Sequence, residues 1–279
     1  MSILEAIIIG IVQGLSEFLP ISSTAHMTLA GRGLGVIGSP QSWTAFIAVV
    51  QLGTLAAVLF YFRHDLIAIT RHFVRENVRR VPLREQSVDA RMGWGIIIGT
   101  IPIATIGLLI KDFIEGAFTK NLIVIGTSLI VLGIILEIAE RYGRFDRGIE
   151  KTTLKDALWV GLAQVLALIP GSSRSGTTMT AGMFLGLTRE AAARYSFLLS
   201  IPAIGASGLL ELAEVADTLD RAAVVDMLIA TVVAGISGYA CIAFLLRYLR
   251  TRTMRAFVIY RVLLGGGLLV AILLGAIEP

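Results

Sequence analysis

The chain has 279 residues, 56% of them hydrophobic and only 16% charged, with a mean hydropathy of +0.82. A soluble globular domain carries about 25% charged residues and no repeated apolar blocks near spanning length, so this composition excludes a soluble class and points to the bilayer. The net charge of +4 and pI near 9.5 do not indicate a nucleic-acid partner, because the basic residues gather in short links between apolar blocks.

The first stretch, Met1–Pro20, lacks a basic start and carries Glu5, Gln13 and Glu17 where a signal peptide needs an unbroken apolar core, so no cleavable leader is expected. It runs into LPISSTAHM at 19–27, a knot of hydroxyls and one imidazole. Six apolar blocks then follow, at 44–62, 92–110, 121–138, 195–213, 223–246 and 257–277. Each has roughly the 17–25 residues that cross the hydrocarbon core as a helix. Between the third and fourth blocks lies a second polar knot, IPGSSRSGTT at 169–178. The single cysteine, Cys241, falls inside a block and permits no internal disulfide.

The links set an orientation. Loop 63–91 holds seven arginines against four acids, 141–155 five Arg or Lys, and 247–255 four arginines. Segments 111–120 and 211–222 have no such excess; the second carries Glu211, Glu214, Asp217 and Asp220 against Arg221. The three rich links therefore face the cytoplasm and the two poor ones face outward. Threading the six blocks through that pattern leaves 1–43 beginning and ending outside, and 154–194 beginning and ending inside. Each is expected to be a re-entrant helical hairpin, unless residues 2–19 span alone and 20–43 cross back.

The hairpins read as copies. QGLSEFLPISS and QVLALIPGSS share Gln13/Gln164, Leu15/Leu166, Pro20/Pro170, Ser22/Ser172 and Ser23/Ser173 with a one-residue slip, and AGRGLG at 30–35 recurs as AGMFLG at 181–186, 151 residues on. The expected architecture is an all-α integral membrane protein of one domain, 1–279, with six transmembrane helices and two re-entrant hairpins. Residues 1–150 form a first repeat and 151–279 a second, inverted one, of the kind that builds midplane sites from broken helices.

Irregular backbone at membrane depth must be buried in protein or line a water-filled cavity. Pro20 and Pro170 each lack an amide hydrogen and disfavour helix at the residue before them, so both break helices just ahead of the serines. The helix N-termini that follow would present unpaired N–H donors suited to phosphate. Arg174 adds a planar, permanently charged fork, and Ser173, Ser175, Thr177 and Thr178 add hydroxyls. Gln13 and Glu17, one helical turn apart, offer oxygen ligands to a hard divalent cation. His26, three residues past Ser23, could serve as general acid or base. Ser23 leads as nucleophile, with Ser22 or His26 as alternatives. Most membrane Ser and Thr merely satisfy nearby carbonyls, whereas Glu17 and Arg174 in apolar surroundings each cost at least ~2.5 kcal/mol and point to function. Arg261 and Asp226 are read as members of a structural ion pair or as interface residues, and His64 and His72 as binding nothing.

QGLSEFLPISSTAHM and PGSSRSGTT, together with VVQLGTLAAV at 49–58, resemble the signature segments of the undecaprenyl-diphosphate phosphatase (UppP/BacA) family. The resemblance covers essentially the whole chain. It implies hydrolysis of undecaprenyl diphosphate to undecaprenyl phosphate and inorganic phosphate, which recycles the lipid carrier of cell-wall synthesis and confers bacitracin resistance. It implies active-site residues at Glu17, Ser23, His26, Ser173, Arg174 and Thr178; Ser22 and Ser175, at the helix starts, are read beside them as further substrate contacts. Activity would depend on a divalent cation, Mg²⁺ or Ca²⁺, and Gln13, where relatives can carry Glu, is its less certain ligand. The expected location is the bacterial inner membrane with an extracytoplasmic opening; the partners are the lipid diphosphate and the bilayer, and a homodimer is compatible with the sequence. The rival readings are a polyprenyl-phosphate transporter using the same anion site and, with too few intramembrane carboxylates to support it, a metal-ion channel.

Overall fold

The computed structural model describes residues 1–38, 40–110, 121–216 and 221–278. Link 111–120, and Asp217 and Asp220 of link 211–222, both expected to face outward, lie outside the described residues. Eleven α-helices make up the described chain: α1 (Ile3–Phe18), α2 (Ser23–Leu34), α3 (Pro40–Tyr61), α4 (Arg63–Val78), α5 (Val88–Leu109), α6 (Leu122–Tyr142), α7 (Leu154–Val165), α8 (Arg174–Phe184), α9 (Arg189–Val215), α10 (Arg221–Leu249) and α11 (Arg255–Leu273).

Six of these, α3, α5, α6, α9, α10 and α11, are long and apolar enough to cross a membrane, and they fall on the six blocks expected from hydropathy. The protein is a multi-pass membrane protein. The other helices are short. At 1.5 Å per residue, α1 reaches about 24 Å and α2, α7 and α8 no more than about 18 Å, against a hydrocarbon core of about 30 Å. Helix α1 packs against α2, and α7 against α8.

Segment 63–91, expected as a loop, contains α4. Its Phe73 stacks edge-on against Trp94 of α5 at 5.1 Å and covers Gly93, so tertiary packing makes a helix where charge density suggested none.

The halves interlock. Helix α1 packs along α10, α7 along α5, and α6 along α11, while α3 lies between α9 and α10. The crossings are close because glycine forms them: a Cβ on Gly10 would sit 2.6 Å from the Ala230 carbonyl oxygen, and one on Gly161 would strike the backbone of Gly99. Small residues allow such approach, and van der Waals packing then holds the helices. At one end of the bundle the buried Glu140 carboxylate receives the Arg189 guanidinium and the Met254 amide, tying the ends of α6, α9 and α11 together. Below the two polar knots, Phe197 lies 5.2 Å from Phe18 and 6.4 Å from Phe62 in an aromatic core shared by both halves.

Candidate active site

Each hairpin breaks at its proline, but by different turns. In the first, the Ile21 amide reaches back to the Leu19 carbonyl (2.7 Å), a three-residue turn; in the second, Ser172 N–H reaches Ile169 O (3.2 Å), a four-residue turn. Gly171 supplies the positive φ (+86°) that such a turn needs after Pro170. That extra residue resets the register between the knots. The helix caps that correspond are Ser22 and Ser173, 151 apart, rather than Ser22 and Ser172; the same offset joins Gln13 to Gln164 and the left-handed Gly35 to Gly186.

The two caps share an unusual backbone, Ser22 at φ 77°, ψ 101° and Ser173 at φ 69°, ψ 108°. Positive φ in a non-glycine residue costs roughly 1–3 kcal/mol and persists only where surroundings enforce it. Each cap is stitched by its own hydroxyl, Ser22 Oγ accepting from the Ala25 amide and Ser173 Oγ from the Gly176 amide. Behind them sits Arg261 of α11, fully buried. Its guanidinium donates to the carbonyls of Pro20 (3.2 Å), Gly171 (3.3 Å) and Ser172 (3.0 Å), and to Leu129 and Ser128 of α6. No carboxylate pairs with it among the described residues. One side chain thus pins both breaks, a role no local pattern announces; the signal was an arginine in an apolar block without a nearby acid.

The first sequence expectation concerned convergence, and here the two knots meet. Arg174 Nη2 lies 2.9 Å from Glu17 Oε1, and Gln13 Nε2 donates to Glu17 Oε2 at 2.8 Å. Ser175 Oγ crosses between hairpins to the Leu19 carbonyl (3.0 Å). A cavity of about 350 Å³ opens above this junction. Its floor holds Glu17, Ser22, Ser23, Thr24, Ser173 and Arg174, and its walls come from α3, α5 and α9.

The remaining expected residues divide. Ser23 faces the cavity and its hydroxyl has no partner among the described residues. Ser175 and Thr178 do not line the cavity: Ser175 is the inter-hairpin tie, and Thr178 Oγ1 donates to the Arg174 carbonyl (2.8 Å) while meeting Ser196 Oγ at 2.7 Å. Thr177 likewise donates to Arg174 O. These hydroxyls set the first turn of α8 and so the position of Arg174. His26 is not bonded to Ser23. Its Nδ1–H donates to the Ser22 carbonyl (2.7 Å), which leaves Nε2 to accept from the Tyr260 hydroxyl at 2.6 Å. The geometry explains why: at four residues' spacing the ring reaches the cap carbonyl behind the helix start.

No cluster of three or more His, Cys, Asp or Glu side chains occurs among the described residues. A cation here would depend on one carboxylate, Glu17, with the Gln13 amide oxygen, which is buried and has no hydrogen-bond partner among the described residues. That donor set fits a hard cation that takes most of its ligands from substrate phosphates.

Residues 6–267 match the family described as Bacitracin resistance protein BacA. The chain belongs to the BacA family. Among its relatives, a protein of Syntrophobacter fumaroxidans is 54% identical over 272 residues, covering 96% of this chain and 97% of the relative. A Myxococcus xanthus protein is 48% identical over 279 residues (100% and 92%), and one from Chloroherpeton thalassium 48% over 287 (100% and 99%). All three bear the name undecaprenyl-diphosphatase. The polar floor described above brings residues of both broken hairpins to one cavity.

Proposed function

We propose that this protein hydrolyses undecaprenyl diphosphate to undecaprenyl phosphate and inorganic phosphate, at the cavity floor between the two hairpins. The observation that carries the reading is the meeting of two proline-freed helix starts, those of α2 and α8, beside Arg174 and an unpartnered Ser23 hydroxyl. The relatives' names favour a hydrolase over the carrier that the sequence left open. One chain supplies both halves of the site.

Phosphoryl transfer needs positioning and charge stabilisation above all. The diphosphate would take Arg174 from Glu17, with amides at the helix starts completing the cradle. Ser23 Oγ attacks the terminal phosphorus in line, the P–O anhydride bond breaks, and undecaprenyl phosphate departs. Glu17 Oε1, released from Arg174, accepts the Ser23 proton, which leaves Oε2 on the Gln13 side for a cation, and water then cleaves the phosphoserine to free phosphate. His26 supports the strained cap through its bond to Ser22 O. Glu17 and the Gln13 amide oxygen would hold a divalent cation, Mg²⁺ or Ca²⁺, which when bound neutralises non-bridging oxygens. The hairpins are re-entrant, the lipid tail enters between α5 and α9 past Leu108 and Leu210, and the cavity opens on the extracytoplasmic side of the bacterial inner membrane. Support for that facing comes from the basic links, all at the opposite end.

The test uses detergent-purified protein and farnesyl diphosphate with Mg²⁺. Phosphate release is expected from the wild type, and a loss of about 10²-fold or more from Ser23→Ala and Arg174→Ala. A wild type that releases no phosphate would remove the hydrolytic reading. Full activity in Ser23→Ala would remove the serine nucleophile and leave direct attack by water.

A further inference from the structure

Among the polar residues of the cavity that belong to neither knot, one has an uncommitted side chain. Gln51 lies near the middle of α3, in a span of mean hydropathy 2.0, and its side chain lines the cavity with Ser23 and Arg174. Its amide makes no hydrogen bond to any described residue, although its backbone carbonyl accepts from Thr54 Oγ1 at 2.7 Å. A primary amide offers two donors and an acceptor, and leaving them unmatched at mid-bilayer depth is costly unless a polar cavity or ligand meets them.

The other polar groups of the wall are already engaged, while Ser23 and Thr24 keep uncommitted hydroxyls on the floor. Thr100 Oγ1 donates to Ile96 O (2.7 Å) and Ser207 Oγ to Ile204 O (3.3 Å), each within its own helix. Ser22 and Ser173 are occupied as caps. Thr44 and Glu211, near the ends of their helices, have partners of their own. Gln51 is therefore the wall residue with uncommitted donors facing the same space as Ser23. The residue at the corresponding position of the second half, 151 further on, is Pro202, also in the lining. It has no side-chain donor, so the donor capacity at this level of the cavity comes from α3.

We propose that Gln51 is a substrate-contact residue whose side-chain N–H donates to a non-bridging oxygen of the bound diphosphate. The inference rests on the hydrolytic reading above and adds a recognition group from outside the two hairpins. A neutral amide suits the place: it matches phosphate oxygens without adding a second fixed cation that would retain the released phosphate.

The experiment compares wild type, Gln51→Leu and the isosteric Gln51→Glu in detergent, with farnesyl diphosphate as substrate and methylenediphosphonate as a non-hydrolysable competitor. A hydrogen bond to a charged partner predicts a loss in kcat/KM of about 10- to 100-fold for Gln51→Leu. The competitor's inhibition constant should rise by a similar factor, while the melting temperature stays at the wild-type value. Gln51→Glu, which places a carboxylate against phosphate, should lose at least as much on both measures. Activity and inhibition within twofold of wild type in either folded variant overturn the proposal. So does a loss of kcat/KM with unchanged competitor binding, which would assign Gln51 to helix packing. A wild type inactive on the diphosphate brings down the hydrolytic reading instead, and that outcome is read from the control alone.

Discussion

Replacing Arg261 by Met should unpin the site from behind. The side chain is fully buried and donates to five carbonyls. Two of these, Ser128 and Leu129, belong to α6, where helical amides can still serve them. The other three, on Pro20, Gly171 and Ser172, sit in the breaks. A buried acceptor left without a donor costs about 1–3 kcal/mol, so the three together amount to roughly 3–9 kcal/mol. Removing the guanidinium also removes its own desolvation cost, several kcal/mol in the opposite direction. The carbonyls are expected to win because three acceptors lose their donor at once and the positive-φ caps lose their brace. Arg261→Lys separates the two effects: it keeps the charge, but its single ammonium cannot reach both breaks as the planar fork does. Thermal unfolding in detergent, read beside phosphate release, should rank wild type above Lys above Met. The Met variant should melt roughly 10 °C lower or more, and the Lys variant should fold but lose most of its activity. A Met variant as stable and as active as wild type would refute the idea that this residue sets the geometry of both breaks.

The glycine crossings give a second expectation. Gly161→Val drives a branched side chain into the Gly99 backbone, where no flexible neighbour can yield, so α7 must separate from α5. The cost of such overpacking is about 1–3 kcal/mol or more, and it should appear as lower detergent stability with activity falling in parallel; an unchanged melting temperature would show that the crossing relaxes freely. Acid supplies a third. Burial raises the Asp156 carboxyl, but the Arg147 fork at 2.5 Å and the Thr153 amide and hydroxyl more than reverse this, so it lies below its ordinary value. A carboxyl depressed in the folded state stabilises above its unfolded pKa, and the contribution is lost as pH falls through the folded value. The stability gap between wild type and Asp156→Asn should therefore be constant near neutrality and narrow below about pH 4. A gap that stays constant down to pH 3 would contradict the assignment.

Hydropathy and arginine counting located the spans because bilayer thickness imposes length on any helix that crosses it, and the two prolines marked the breaks because each removes a donor and constrains its predecessor. Glu17 and Arg174 were readable as functional residues of one site, since a lone charge in an apolar span is costly; their direct ion pair was not. Other features depend on three dimensions. Helix α4 exists through Phe73 against Trp94, a contact that segment 63–91 does not reveal by composition. Ser175 and Thr178 look like anion ligands in a string of hydroxyls, yet their rotamers turn them to Leu19 O, Arg174 O and Ser196. His26 seemed placed for Ser23, but Tyr260, distant in sequence, takes its second nitrogen. The register between hairpins slipped by one because Gly171 lengthens a turn, and an alignment by prolines cannot see a turn type.

The interlocked halves have a consequence for biogenesis. The groove that shelters α1 is built from α10, and the cation that matches Glu17 is 157 residues away. A ribosome therefore releases an acid-bearing helix long before anything exists to neutralise or enclose it. Until the later helices are inserted, that segment must wait in the translocon, at the bilayer surface or beside a chaperone, and a chain truncated before α10 would leave it stranded there.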